Sequence, residues 1–378
     1  MILENEIKLD FQDVLIRPKR STLESRSQVN LIKNFKPKYG KEFSGIPIIA
    51  ANMATGTFKM LEVFAENKMF VAIAKHFNNE WNYHLTENKN LEQVKKYIDY
   101  GFYTIGMSDN ELLQLIQVAN GWESDGGDKS NIKICIDIAN GYTQRFASFV
   151  KKVRDAFPKN VIVAGNVATP EMVQELVIAG ADFCKIGIGP GSACTTRLKT
   201  GVGYPQISAS IECADAAHGL GAGIILDGGM RCPGDVAKAF VANSDMVMIG
   251  GMLAGTDEQD GETISKWFES EELDLIYNGT SNQTVDFSTK KKIVENKYKV
   301  WYGMSSEYAQ EKHMSGMKNY RTSEGRKEEV EYKGPVQNII DDLLGGLRSA
   351  CTYIGSQSIK DMGKCGTLIR TNRQHDRF

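Results

Sequence analysis

The sequence predicts an α/β protein folded as a (β/α)8 barrel of TIM type in a single domain. Three observations carry that expectation. Eight short apolar runs recur along the first two-thirds of the chain, helix-like segments separate several of them, and the residues just past the runs are repeatedly polar or glycine.

The runs are Ile46–Ala51, Met69–Ile73, Phe102–Gly106, Ile132–Ile136, Val161–Gly165, Phe183–Gly187, Ile224–Leu226 and Met246–Ile249. Most have a β-branched or aromatic bias, and Pro47 stands near the start of the first, where a strand tolerates it. Strands buried on both faces read as continuous apolar runs, and helices between them make right-handed crossovers. "ATPEMVQELVIAG" (168–180) has Pro170 near a helix start, Gly180 at its end, and Met172, Leu176 and Val177 on a buried side. "PQISASIECADAAHGLG" and "PGDVAKAFVAN" follow the same grammar. Residues 77–101 read as irregular. Eight units fit a closed barrel better than an open sheet.

Past the eighth run the pattern loosens. Residues 257–274 are acid-rich and 290–299 basic, and no helical or strand period runs through them, so 257–300 reads as an excursion from the barrel rim. The tail from about 334 reads as a helix ending the domain, and residues 1–378 as one domain with no linker.

Composition sets outer bounds. The chain has 378 residues, 42% hydrophobic and 24% charged, with a net charge of -2. That balance argues against a bulk nucleic-acid or membrane surface, so an anionic ligand needs a local site. The charged start "MILENEIKLDFQ" lacks a signal-peptide core, and no apolar run approaches the ~18 residues of a membrane span. A cytoplasmic location is expected. The seven cysteines, at 135, 184, 194, 213, 232, 351 and 365, form no CxxC pair. Free thiols, mostly in the core, are expected rather than structural zinc.

In a barrel of this kind chemistry lies at the carboxyl ends of the strands. Lys75, Asp137, Asn140 and Asn166 follow the second, fourth and fifth runs. "KIGIGPGSACTTRLKTGVGYPQ" (185–206) follows the sixth and sets Cys194 among glycines 187, 189, 191, 201 and 203, with Arg197 and Lys199 nearby. A thiol in a polar glycine turn is poorly placed for core packing and well placed for attack on a substrate. "GIGPG" is not a dinucleotide fingerprint, because Pro190 interrupts it and no helix opens at its last glycine. "DGGM" (227–230) and "GGM" (250–252) follow the last two runs, where backbone N–H groups commonly hold phosphate. Asp227 suits ribose hydroxyls instead. Lys75 and Asp137 are expected to pair across the rim. His76, His218 and His313 read as structural or surface residues, with His218 favoured by a helix end.

These motifs, with "MIGGMLAG", "YGMSS", "YRTSEGR", "LLGGLRSACTYIG", "LDFQDVLIRPKRSTLESRS" and "GIPIIAANM", resemble the IMP dehydrogenase/GMP reductase family over nearly the whole chain outside 257–300. The resemblance implies a (β/α)8 barrel acting on purine nucleotides. Its wording favours the reductive branch: NADPH-dependent conversion of GMP to IMP and ammonia through a covalent bond from Cys194 to C2 of the purine. It makes Thr196 and Glu324 the pair that manages protons on the departing amine, and sets Lys75 and Asp137 near the reacting ring and nicotinamide. It puts ribose and phosphate on Asp227, Gly228, Gly229, Gly250 and Gly251. The base falls to Gly303, Met304, Ser305, Arg321, Thr322, Ser323, Glu324 and Gly325. Cofactor contacts fall to Ser25, Arg26, Lys75, Asp137, Ile138, Ala139, Ile188, Gly189, Met304, Tyr320, Arg321, Ser349, Ala350, Cys351 and Thr352, some from a neighbouring subunit of a homotetramer. Gly189, Gly191, Cys194 and Arg197 match the family's monovalent-cation loop, which implies potassium.

The close rival is NAD-dependent oxidation of IMP to XMP, the other branch of the family. That branch usually carries a regulatory (CBS) insertion after the second strand, whereas only residues 76–101 separate Lys75 from the third run. A nucleotide-binding regulator without activity is a third reading, opposed by the intact Cys194, Thr196 and Glu324. Two departures stand out. "ANMATGTF" is one residue short of the family pattern, with Ala54 where aspartate is usual. The excursion in 257–300 is also longer than the family's connection; it is expected either to lengthen a rim hairpin that touches a neighbouring subunit or the cofactor entrance, or to be a surface loop without function.

Overall fold

A computed structural model describes residues 3–88, 90–277, 285–313 and 322–371. Eight parallel strands close into a barrel in chain order: β1 (Ile48–Ala50), β2 (Phe70–Ala72), β3 (Gly101–Ile105), β4 (Lys133–Asp137), β5 (Ile162–Val167), β6 (Phe183–Ile186), β7 (Gly223–Asp227) and β8 (Met246–Ile249). The register closes where Val247 of β8 lies opposite Ile48 of β1. Each run predicted as a strand is one.

Alternation along the strands sorts the core into two shells. Ile49, Phe70, Phe102, Cys135, Val163, Phe183, Ile225 and Met246 belong to one cluster, while their neighbours, such as Ile48, Val71, Ile134 and Ile224, pack in the larger cluster with the helices. Two short antiparallel strands, Lys33–Phe35 and Phe43–Gly45, bring Phe35 and Phe43 into the first cluster, stacked 4.6 Å apart. These rings meet Phe70 and Phe183, at the amino-terminal ends of their strands, and so plug the end opposite the rim.

The segment 77–101 is not irregular. It forms helices Asn78–Thr86 and Leu91–Tyr100, the second capped by the Asn90 side chain accepting from Gln93 N. Trp81, Leu85, Val94, Tyr97 and Ile98 are buried. These helices join β2 to β3 with no CBS module between them. The tail helix, Gln337–Ile354, does not end the fold either. A further strand, Leu368–Arg370, returns to pair with Val14–Ile16.

The excursion is an antiparallel hairpin of β9 (Thr263–Tyr277) and β10 (Val285–Tyr302), and β11 (Lys327–Glu331) adds to the base of β10. Its base is a rim element, not a loose loop. Val300, Trp301 and Tyr302 are buried in a third cluster with Ala54, Ala193, Ala254 and Ala309. Ala54, fully buried there, sits in apolar surroundings where an aspartate would need a partner. Further out, Trp267 and Ile293 are exposed.

One buried ion pair ties a helix to the barrel. Arg154, on helix Gln144–Ala156, donates to Asp182 at 2.7 Å, and Asp182 also accepts from the N–H groups of Tyr39, Gly40 and Ile162. Breaking a buried pair leaves an uncompensated charge, so Asp182→Ala should destabilise the protein by about 3–5 kcal/mol in urea unfolding. Asp182 immediately precedes β6, away from the rim, so the remaining folded fraction should keep normal turnover.

Candidate active site

The rim opens into a cavity of about 1280 Å³, walled by the carboxyl ends of the strands and by Gly303–Ser305 and Glu324. Cys194 is half-buried on the loop after β6. Its thiol donates to Thr196 Oγ1 at 3.3 Å, and the Thr196 hydroxyl donates to Glu324 Oε2 at 2.7 Å. Backbone bonds hold the two chain segments together: Thr195 N to Glu324 O at 2.9 Å and Arg326 N to Ala193 O at 3.0 Å. A proton leaving sulfur therefore has a hydroxyl and then a carboxylate within reach.

Opposite this relay lies a charged cluster. Asp137, at the end of β4, accepts from Lys185 Nζ at 2.5 Å, and the same ammonium lies 3.2 Å from Asp227 Oδ2 at the end of β7. Lys185 is only 2% exposed. Asn166 Nδ2 reaches Asp227 Oδ2 at 2.8 Å and Gly187 O at 2.9 Å. Burial pushes the Asp137 carboxyl up, but Lys185, Lys75 and a hydrogen bond from Asn52 outweigh it and hold it below the ordinary carboxylate range. Burial pulls the Lys185 ammonium down, and Asp137 and Asp227 more than reverse this, so its pKa is raised. The expected Lys75–Asp137 contact is thus corrected. The direct partner of Asp137 is Lys185, while Lys75 acts on it at longer range.

The glycine turns after β7 and β8 lie on the cavity wall. Gly228 and Gly229 both take positive φ, 81° and 84°, a conformation that favours glycine. Gln206 Nε2 braces the turn through Asp227 O at 3.0 Å and Gly228 O at 3.2 Å. Gly187 is needed for close approach, since a Cβ there would lie 2.3 Å from the Asp227 carbonyl oxygen.

Among the expected residues, Cys194, Thr196, Glu324, Lys75, Asp137, Asp227, Gly228, Gly229, Gly250, Gly251, Gly303, Met304 and Ser305 meet in this cavity, with Ile138, Ala139, Ile188, Gly189 and Gly191. Ser323 stands behind the wall, its hydroxyl donating to Gly325 O and accepting from Glu307 N. Ser25, Arg26, Ser349, Ala350, Cys351 and Thr352 do not reach the cavity. They lie where helix Gln337–Ile354 packs against the turn Arg26–Gln28, and Cys351 turns its thiol into the core. Tyr320 and Arg321 lie outside the described residues. The Arg197 guanidinium donates to Asp10 and Tyr204 O and has no acceptor to offer a cation; its carbonyl could be a ligand and already accepts from Gly201 N.

Lys185, Gln206 and Trp301 belong to the site without a motif that marks them. The one signal for Lys185 is a charge inside the apolar run "FCKIG". His76 and His313, which have no partner evident in the sequence, stack on each other with ring centroids 4.0 Å apart, and His313 Nε2 lies 2.9 Å from the Tyr302 hydroxyl. His218 does have an acidic partner, Asp245, at 2.8 Å.

A closed (β/α)8 barrel with a rim thiol, a hydroxyl–carboxylate relay and glycine turns at the last two strands, all on one large cavity, is the architecture of a barrel enzyme. The chain belongs to the IMP dehydrogenase/GMP reductase family, whose domain matches residues 8–375. It is 46% identical to GMP reductase 2 of Bos taurus over 376 residues, covering 98% of this chain and 97% of that protein. It is 47% identical to GMP reductase 1 of Rattus norvegicus, covering 99% and 98%, and 46% identical to GMP reductase of Escherichia coli, covering 100% and 99%.

The histidine stack, outside the cavity lining, gives the fold a pH signature. Burial, with His313 and Lys312 adding to it and Asp260 opposing, lowers the His76 pKa from 6.5 to about 4. The unfolded chain therefore takes up a proton near pH 6.5 that the folded chain refuses until about pH 4, so stability falls as pH drops through that window. His76→Phe should flatten the fall of the urea midpoint between pH 6.5 and 4. An unchanged slope would remove His76 as its source.

Proposed function

We propose that this chain is a GMP reductase that converts GMP and NADPH, with two protons, into IMP, NADP+ and ammonium. The observation that carries the reading is the continuous relay from Cys194 through Thr196 to Glu324. The Cys194 proton moves to Thr196 and on to Glu324 as sulfur bonds to C2 of the guanine ring and the C2–N3 π pair moves onto N3. Glu324, through Thr196, returns a proton to the C2 amine, a poor leaving group until protonated, and ammonia departs. The exocyclic carbon–nitrogen bond breaks as the N3 pair re-forms the double bond, leaving a thioimidate on Cys194. Bound NADPH supplies the hydride that takes the place of the amine at C2. The carbon–sulfur bond then breaks and Cys194 leaves as thiolate. One difficult displacement becomes two easier steps.

Lys75, Asp137, Ile138, Ala139, Ile188 and Gly189 share the cavity with Cys194, which supports them as the nicotinamide side of the cofactor site. Ser25, Arg26 and the Ser349–Thr352 run form a separate outer patch, which suits cofactor contacts given to a neighbouring copy in a homotetramer. A potassium ion would be held by carbonyls of Gly189, Gly191, Cys194 and Arg197. Those of Gly191 and Arg197 each accept one backbone bond and keep a second lone pair. We read residues 1–378 as one cytoplasmic catalytic domain with GMP and IMP as its nucleotides and no nucleic-acid or membrane partner. Among the described residues no helix is long and apolar enough to cross a membrane. We assign the outer hairpin to contact with a neighbouring subunit. Trimming it between Lys266 and Asn296 should lower the oligomer size in sedimentation, and an unchanged size would remove that assignment.

With GMP and NADPH, the wild type should consume NADPH and release ammonium. Cys194→Ala should abolish turnover while still binding GMP, and Glu324→Gln should lower kcat by about 10²–10⁴-fold. NAD reduction with IMP, without NADPH loss on GMP, would overturn the reading in favour of IMP oxidation.

A further inference from the structure

We propose that Lys185 is a positioning residue whose one buried ammonium holds Asp137 and Asp227 together, so that the cofactor side and the ribose side of the cavity are ordered by a single charge. The inference rests on the reading that Asp227 meets the ribose and Asp137 the nicotinamide.

The geometry singles out Lys185. It points inward from β6, between β5 and β7, and its Nζ reaches Asp137 Oδ1 at 2.5 Å and Asp227 Oδ2 at 3.2 Å. Those carboxylates stand on β4 and β7, which share no edge in the barrel, so no backbone pairing sets their separation. Asn166 steadies Asp227 from one side but donates nothing to Asp137. Asp137 in turn has Asn52 and the more distant Lys75, neither of which bonds Asp227. Lys185 is the described residue that bonds both. A charge that is 2% exposed has no water shell to fall back on, so its position is fixed by these two anions and theirs by it. Neutralising one carboxylate therefore releases the ammonium toward the other and shifts it.

The consequence is a coupling between two residues that touch different ligands. Asp137 does not face the ribose on this reading, yet Asp137→Asn should weaken GMP binding measured without cofactor, by several-fold. Asp227→Asn should weaken it about tenfold or more, and should also erase any preference for GMP over 2′-deoxy-GMP. The double variant should lose less than the product of the two single losses, because both act through one ammonium. Lys185→Met should reproduce the loss of ribose preference and move the titration of the Asp137 carboxyl itself, followed by NMR, to higher pH, since Asp137 loses its main counter-charge while its burial remains. Lys185→Arg should restore part of both.

Titration of GMP into the full-length wild type, the two Asn variants and the double variant is the primary measurement, so the result does not depend on Lys185→Met folding. Strictly multiplicative losses, or GMP binding untouched by Asp137→Asn, would overturn the coupling. A folded Lys185→Met with wild-type ribose preference and an unmoved Asp137 titration would do the same. Failure of the underlying reading looks different: the wild type would not bind GMP at all, or Asp227→Asn would bind it normally.

Discussion

The active site depends on one short antiparallel contact. Ala193–Thr195, on the loop after β6, lies along Glu324–Arg326, and backbone bonds run both ways between them. Without it Thr196 and Glu324 would belong to unrelated loops. The thiol loop is glycine-rich and free to take many shapes; a second strand of chain laid against it leaves one. The Cys194–Thr196 and Thr196–Glu324 distances of 3.3 and 2.7 Å are thus set by backbone pairing, which is more rigid than side-chain contact alone.

The hairpin base delivers that second strand. β10 ends at Tyr302, Gly303 N bonds Arg326 O, and Trp301 and Tyr302 are sunk in apolar packing beside Ala193. The rim segment that carries Glu324 is therefore anchored close to the thiol loop it must meet. The opposite wall is ordered by charge. Two carboxylates on the cavity wall hold a buried ammonium between them, a position that is costly for a lone ion and stable for a matched set.

Much of this was legible in the chain. The barrel could be read because parallel strands covered on both faces leave continuous apolar runs, and the rim could be read because polar residues follow those runs. Cys194, Asp227 and the two glycine turns stood out by residue type and place. The helix at 78–86 is hidden because only Trp81 and Leu85 form its buried side, whereas the helix at 91–100 carries both signals, an asparagine cap and apolar residues at 91, 94, 97 and 98. The hairpin was hidden because charges occupy both of its faces, which removes the two-residue period. The partner of Asp137 was misassigned because Lys185 looks like an interruption in a strand. Its meaning lies in the barrel's curvature, which brings β4, β6 and β7 around one point. Ser25, Arg26 and Ser349–Thr352 came from family likeness alone, and one chain leaves them outside the cavity.

Trp301 has an optical consequence. Its indole lines the cavity, packs 3.3 Å from where a Cβ on Gly250 would stand, and its buried Nε1 has no protein partner. A planar base arriving in that space changes the surroundings of a buried fluorophore, while Trp267, near the base of the hairpin and 66% exposed, reports solvent, and Trp81 and Trp122, outside the cavity lining, add a constant background. The protein carries its own emission gauge for occupancy of the pocket, with a solvent reference on the same chain.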